Sequence, residues 1–268
     1  MLKRLSLEGR SAIVTGGGTG LGLAMARALA RAGADVAIGA RRPGPIEEAA
    51  QEVRSLGRRA LAIPTDVSDS AQVERLVQQT LAEFDRVDVL INNARLIQAV
   101  VRSPIWEITD EAWQQALDVN LSGAFYCARA VSRHMVEQGR GKIINVASGF
   151  GLRGGRDMYT YCCTKGGLIQ LTRTLAISLG RYGVTSNTIV PGFIPTRSAM
   201  AAEGTARREE FVPIGRFGRP EDVGQAVVFL ASDASDYMNG ELLVLDGGSL
   251  AGGFAPTGYA LEGSYNAP

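Results

Sequence analysis

Apolar positions along the chain alternate between two rhythms. Ser11–Thr15 is a short, largely apolar run that predicts a strand, and Gly16–Gly20 is a turn that only glycine-rich sequence permits. Beyond it Leu21, Ala24, Met25, Ala28 and Leu29 recur at helical spacing, the stripe of an amphipathic helix. Gly33 stands where such a helix ends in left-handed geometry, and Val36–Ala40 predicts a second strand. The first forty residues therefore form a β-α-β unit. The alternation continues. Ala60–Ile63 predicts a strand, and Ser68 is positioned to cap a helix striped by Val73, Leu76, Val77, Thr80, Leu81 and Phe84. Val87–Ile91 is apolar but for Asp88, as expected of a strand covered on both sheet faces. One long helix is predicted from about Asp110 to Gln138, then a strand over Lys142–Ala147. A helix over Tyr161–Arg181, a strand over Ser186–Val190, a helix over Pro220–Ala231 and a seventh strand over Leu242–Leu245 complete the series. Strands alternating with helices throughout imply an α/β fold with a doubly wound parallel sheet.

Composition narrows the function classes. The chain has 268 residues, 46% hydrophobic and 21% charged, with a formal net charge of +1. One large domain accommodates residues 1–268, with no linker, repeat or low-complexity tract between its halves. Balanced charge, 28 basic against 27 acidic residues, leaves no electrostatic footprint for nucleic acid or an anionic membrane. Three cysteines, two adjacent (Cys162 and Cys163), make no disulfide framework and suit a reducing compartment, where they are expected as small buried thiols. One histidine, His134, leaves no zinc-binding set, so no metal is expected. The apolar runs are far shorter than the ~20 residues that span a bilayer. The opening MLKRLSLEGR has no apolar leader core, and the expected location is the cytoplasm.

Two features carry chemistry. The turn Thr15-Gly16-Gly17-Gly18-Thr19-Gly20-Leu21-Gly22 follows a strand and opens a helix. Glycines there let backbone approach a pyrophosphate, and the helix start offers free N–H groups and partial positive charge. The tip of the second strand reads Ala40-Arg41-Arg42, with no carboxylate for a ribose 2′-hydroxyl; arginine suits a 2′-phosphate, which favours NADP(H) over NAD(H). Tyr161 and Lys165 are one helical turn apart, and an ammonium beside a phenol favours phenolate, so the pair can exchange a proton with an alcohol or carbonyl oxygen. Ser148 lies thirteen residues before Tyr161, at the end of a strand in Asn145-Val146-Ala147-Ser148.

Together these motifs resemble the short-chain dehydrogenase/reductase family, over nearly the whole chain from Gly9 to about Gly248. The family's glycine motif is Thr15 to Gly22, its acidic position Asp66 with Val67, and its asparagine motif Asn92-Asn93-Ala94. The helix asparagine is Asn120, the serine Ser148, the Tyr-Lys pair Tyr161 and Lys165, and the proline–glycine turn Pro191-Gly192-Phe193-Ile194-Pro195-Thr196. Gly215 to Asp222 and Asp246-Gly247-Gly248 also fit the family pattern. The motifs sit closest to β-ketoacyl-carrier-protein reductase-like and gluconate dehydrogenase-like members.

The resemblance implies a single-domain Rossmann fold, a seven-stranded parallel sheet with helices on both faces. It implies an NADP-dependent alcohol dehydrogenase or carbonyl reductase acting on a small carbonyl or alcohol substrate, assembled as a homotetramer. Asn120, Ser148, Tyr161 and Lys165 would be catalytic. Tyr161 would be the general acid or base, Lys165 would hold the nicotinamide ribose, Ser148 the substrate oxygen, and Asn120 a relay water. Gly16, Gly18, Thr19, Gly20, Leu21, Gly22, Arg41, Arg42, Asp66, Val67, Asn93, Ala94, Ile194 and Thr196 would join Tyr161 and Lys165 in binding the cofactor. The competing expectations are an NAD-linked sugar or polyol dehydrogenase and a catalytically silent dinucleotide-binding regulator.

Several positions stand apart. Arg95 follows Ala94 where the family pattern has glycine, so crowding of the loop, an outward guanidinium, and contact with cofactor or an anionic substrate are all open. Tyr159, six residues before Lys165, is expected to line the substrate pocket instead of sharing its chemistry. Residues 196–217, with Arg207, Arg208, Glu209 and Glu210, are expected to form a lid, and 249–268 a tail whose aromatics favour packing near a neighbouring subunit's active-site rim.

Overall fold

The apolar runs become seven parallel strands of one sheet in the computed structural model, which describes residues 2–96, 103–195 and 211–252. The strands are β1 (Ser11–Thr15), β2 (Asp35–Ala40), β3 (Ala60–Pro64), β4 (Val89–Asn92), β5 (Gly141–Val146), β6 (Val184–Pro191) and β7 (Leu242–Leu245). Their order is β3-β2-β1-β4-β5-β6-β7. Register is set from Ser11 opposite Asp35 in the first pair to Asn92 opposite Asn145 in the centre. The helices are α1 (Gly20–Arg31), α2 (Pro43–Ser55), α3 (Ser70–Phe84), α4 (Asp110–Leu117), α5 (Gly123–Glu137), α6 (Tyr159–Leu179) and α7 (Pro220–Ala231).

Each central strand buries both faces, and the two-residue period of a strand divides its side chains between two cores. Val14, Ile38 and Ile91 pack with Met25 and Leu29 of α1, Ile46 of α2 and Val223 of α7. Their strand neighbours Ile13, Ala37 and Leu90 pack on the other side with Leu76 of α3 and Cys127 and Met135 of α5. Burial pushes the Cys127 thiol up to about 12, which leaves it a packing group.

Three elements differ from the sequence expectation. Helix α2 falls where no element was predicted, because Pro43-Gly44-Pro45 reads as a breaker. Proline is tolerated in a first turn, where its missing N–H costs nothing, and Ile46, Ala49, Ala50 and Val53 then supply a buried stripe. The cap of α3 is Asp69 and not Ser68: the Asp69 carboxylate accepts from the N–H groups of Ala71 and Gln72 at 2.9 and 3.2 Å. The long helix predicted over Asp110–Gln138 is broken by a π turn at Asp118–Ser122 between α4 and α5. The cysteine expectation also needs correction: Cys163 is exposed and Cys162 half-buried, since they flank the inward Tyr161 on α6. Strand order reverses between β1 and β4, so the crevice beyond their carboxyl ends is where the fold presents a binding site.

Candidate active site

The glycine turn forms a close-fitting cradle. Gly16 and Gly20 have φ of +64° and +57°, conformations that favour glycine. A Cβ on Gly16 would lie 2.9 Å from the Ala94 Cα, and one on Gly22 would lie 2.6 Å from Asn93 Nδ2 and collide with the Gly16 carbonyl. Asn93 fixes this geometry: its Nδ2 donates to the carbonyls of Thr15 and Gly16 at 3.0 and 3.2 Å. The Thr15 hydroxyl donates to the Ile91 carbonyl and accepts from the N–H groups of Asn93 and Ala94, tying the ends of β1 and β4 together. Thr19 caps α1 without a side-chain hydrogen bond, so the N–H groups of the first turn face the crevice end of the helix unmasked by a cap. A narrow backbone cradle with free donors and a positive dipole end fits a dinucleotide pyrophosphate.

The other cofactor candidates surround this cradle. The Gly16 N–H donates to the Gly39 carbonyl at 2.7 Å, linking the turn to β2, whose end carries exposed Arg41 and Arg42. Arg42 is also the residue before α2, held extended by Pro43. Asp66 is half-buried, its carboxylate accepting from the backbone N–H and hydroxyl of Ser68 at 3.0 and 2.6 Å, while Val67 packs against Gly123. Ile194 lies against Gly218, in a turn held by the Gly218 N–H to Phe193 carbonyl bond and by packing of the Phe193 and Phe217 rings. Thr196, residues 196–210 of the segment 196–217 expected to form a lid, and most of the tail expected at 249–268 lie outside the described residues.

Strand β5 and helix α6 bring the reacting candidates together. Ser148 follows β5 in extended backbone, and its hydroxyl accepts from the Phe150 N–H at 3.3 Å. Tyr161, 8% exposed, packs edge-on against Phe150 with ring centroids 6.4 Å apart. Lys165, one turn further along α6, is 2% exposed and donates from Nζ to the Val146 carbonyl at 2.8 Å. Its Nζ lies 5.9 Å from the Tyr161 ring centre. Burial, with the Arg95 guanidinium adding to it, lowers the Lys165 pKa to about 7. Tyr159, half-buried, begins the helix two residues before Tyr161 and so points to another side of it.

The π turn sets the fourth candidate. Asn120 lies within it, 1% exposed, and its Oδ1 accepts from the Leu96 N–H at 2.7 Å. Asn120 Nδ2 and Asn92 Oδ1 are buried without a protein partner among the described residues. Both residues line one small cavity with Thr15, Ala94, Val119 and Leu168, large enough for about one water.

A family model described as enoyl-(acyl carrier protein) reductase matches residues 16–249, from the glycine turn to just beyond β7. The chain is a short-chain dehydrogenase/reductase. As an enzyme of this oxidoreductase class it works with a nicotinamide dinucleotide. This short-chain dehydrogenase/reductase is 36% identical over 256 residues to the 2-dehydro-3-deoxy-D-gluconate 5-dehydrogenase of Escherichia coli (strain K12), covering 94% of this chain and 99% of that one. It is 37% identical over 244 residues to the cis-4-hydroxycyclohexanecarboxylate dehydrogenase of Sinomonas cyclohexanicum, covering 90% and 97% of the two chains. The crystal structure of a gluconate 5-dehydrogenase from Burkholderia cenocepacia J2315, in complex with NADP and tartrate, matches with a TM-score of 0.88 at 35% identity, over 94% of this chain and 99% of that one.

Sequence reading missed what ties α6 to the sheet in this short-chain dehydrogenase/reductase. Asn92 Nδ2 donates to Asn145 Oδ1 at 2.9 Å, Asn145 Nδ2 donates to the Thr172 hydroxyl at 2.8 Å, and the Thr172 and Thr188 hydroxyls are 2.7 Å apart. This polar chain runs from β4 through β5 to α6 and β6, entirely buried. Its signal was present as polar residues, Asn145 and Thr188, inside otherwise apolar strands.

Proposed function

We propose that this enzyme interconverts a secondary alcohol and a ketone on a small hydroxylated carboxylic acid, with NADP(H) as the hydride carrier. The observation that carries the reading is the buried Lys165 ammonium one turn beyond Tyr161, held by the Val146 carbonyl at the end of β5, two residues before Ser148. A buried ammonium with no carboxylate partner among the described residues is expensive, and such expense marks functional sites.

Ser148 would donate or accept at the reacting oxygen and so orient the substrate. Tyr161 would take the alcohol proton during oxidation and return it during reduction. Lys165 would stabilise the phenolate through its charge and hold cofactor hydroxyls with its remaining N–H groups. Asn120, fixed by Leu96, would hold a water on the path by which that proton reaches solvent. The cofactor, when bound, supplies or accepts the hydride. Gly16 to Gly22 would cradle its pyrophosphate and Arg41 and Arg42 its 2′-phosphate. Asp66, Val67, Asn93 and Ala94 would border the adenosine, with Ile194 against the nicotinamide amide and Thr196 against the phosphates. The acid character of the substrate is supported by relatives whose names are those of gluconate-type and cyclohexanecarboxylate dehydrogenases, and the NADP preference by the gluconate 5-dehydrogenase complex. A homotetramer would cover the half-buried Val228 and Phe229 of α7 and the 40%-exposed Val244 of β7.

Tyr161→Phe tests this reading. Turnover should fall by about 10²–10⁴-fold, the usual worth of an acid–base group, while NADPH still binds by fluorescence titration. Tyr159→Phe should remain active. A Tyr161→Phe enzyme at near wild-type rate would remove Tyr161 from the chemistry.

A further inference from the structure

The loop after β4 carries a cation in a place that the backbone fixes from both sides. The Ala94 N–H donates to the Thr15 hydroxyl at 3.2 Å, and the Leu96 N–H donates to Asn120 Oδ1 at 2.7 Å. Arg95 therefore stands between the phosphate cradle and the π turn that carries Asn120. It is not among the described non-glycine residues with positive φ, which are Asp85 and Asp157, so the backbone here does not require glycine. The side chain is exposed.

About half of the described arginines have a carboxylate: Arg27 has Glu52, Arg59 has Asp35, and Arg86 has Asp88. Arg95 has no ion pair among the described residues. Two carboxylates that follow strands of the sheet have partners of their own, Ser68 for Asp66 and the N–H groups of Gly248 and Leu250 for Asp246. Two positive groups, Arg95 and Lys165, thus bear on one another, neither in an ion pair among the described residues. We propose that Arg95 is the specificity residue of the site: its guanidinium takes the carboxylate of the substrate while Ser148 and Tyr161 hold the reacting oxygen. A guanidinium presents paired donors that match a carboxylate, which lysine does not. The charge of Arg95 disfavours the Lys165 ammonium, so a carboxylate seated on Arg95 also removes an obstacle to the charged form of Lys165. Acid substrates are then favoured twice, by anchoring and by the field they cancel.

This inference rests on the hydroxy-acid dehydrogenase reading above, and the test separates the two. Wild type, Arg95→Ala and Arg95→Lys are assayed with a hydroxy acid and with the primary amide of the same acid. The affinity of each enzyme–NADP⁺ complex for malonate, a non-reacting dicarboxylate, is measured by calorimetry. The acid-to-amide ratio of kcat/KM should fall about ten- to a hundredfold in Arg95→Ala, chiefly through KM for the acid, with partial recovery in Arg95→Lys. Malonate affinity should fall in parallel. An unchanged ratio with unchanged malonate affinity would overturn the proposal. So would a loss that tracks weaker NADP⁺ binding, since Arg95 would then serve the cofactor. If malonate binding depends on Arg95 but no hydroxy acid is oxidised, the anion site stands and the substrate reading fails.

Discussion

Replacing Lys165 by methionine should stabilise the cofactor-free protein while abolishing its chemistry. The ammonium is buried and its pKa is lowered from 10.5 to about 7, chiefly by desolvation and then by Arg95. At about 1.4 kcal/mol per pH unit, keeping it charged near pH 6 costs the fold at most about 5 kcal/mol. Methionine removes that cost, fills a similar volume, and forfeits the hydrogen bond to the Val146 carbonyl, a charged bond worth about 1.5–3 kcal/mol. The net gain near pH 6 is then about 2 kcal/mol. The pH dependence carries the sign. A lysine whose folded pKa is depressed binds fewer protons in the folded than in the unfolded chain between about pH 7 and 10.5, so the wild type gains stability as pH rises through that window. The advantage of Lys165→Met should therefore shrink by about 3 kcal/mol between pH 6 and pH 9, vanishing near about pH 8.5 and reversing above it. Urea denaturation of both proteins at equal concentration, at pH 6, 7.5 and 9, measures this directly. A variant that is less stable at pH 6, or a difference independent of pH, would refute the claim that this lysine is held charged against its surroundings.

Gly22→Ala should weaken dinucleotide binding at least tenfold and lower Tm, because the new methyl would press on Asn93 Nδ2 and the Gly16 carbonyl, both held by backbone bonds; overpacking of this kind costs about 1–3 kcal/mol. Wild-type affinity in a fluorescence titration would show that the cradle is looser than described. Arg41→Asp combined with Arg42→Ala should shift the kcat/KM ratio for the two cofactors towards NADH by about ten- to a hundredfold, since a phosphate partner is replaced by a ribose acceptor. An unchanged ratio would end the NADP assignment. A crystal structure at high resolution should show one water bonded to both Asn92 Oδ1 and Asn120 Nδ2, because a buried donor and acceptor left unpaired cost about 1–3 kcal/mol each. Direct contact between the two amides, with no solvent density, would contradict this.

Much of this architecture is legible in the residues because several levels agree. The glycine turn, the buried run Val89–Asn92 and the helical stripes each predict an element that tertiary packing then uses. Legibility fails where local chemistry competes. Helix α2 was hidden because Pro43-Gly44-Pro45 reads as a turn, although Pro43 at the first helical position costs no hydrogen bond. The break at Asn120 was hidden because a π turn leaves the apolar rhythm nearly intact while adding one residue to it. The Tyr161–Lys165 spacing marked the candidate pair, yet nothing in the spacing tells that Lys165 is held by the Val146 carbonyl or that Arg95 bears on it. Those are contacts between residues 19 to 70 positions apart, which only the folded sheet brings together.

The most direct test of the central claim is turnover of a panel of hydroxy acids and polyols with NADP⁺ and with NAD⁺, followed by the absorbance of the reduced nicotinamide. The account predicts NADPH formation from at least one hydroxy acid, with NADP⁺ preferred and the signal lost in Tyr161→Phe. Tight binding of NADPH with no turnover of any hydroxy acid or polyol in the panel would contradict it and leave a dinucleotide-binding protein without catalysis.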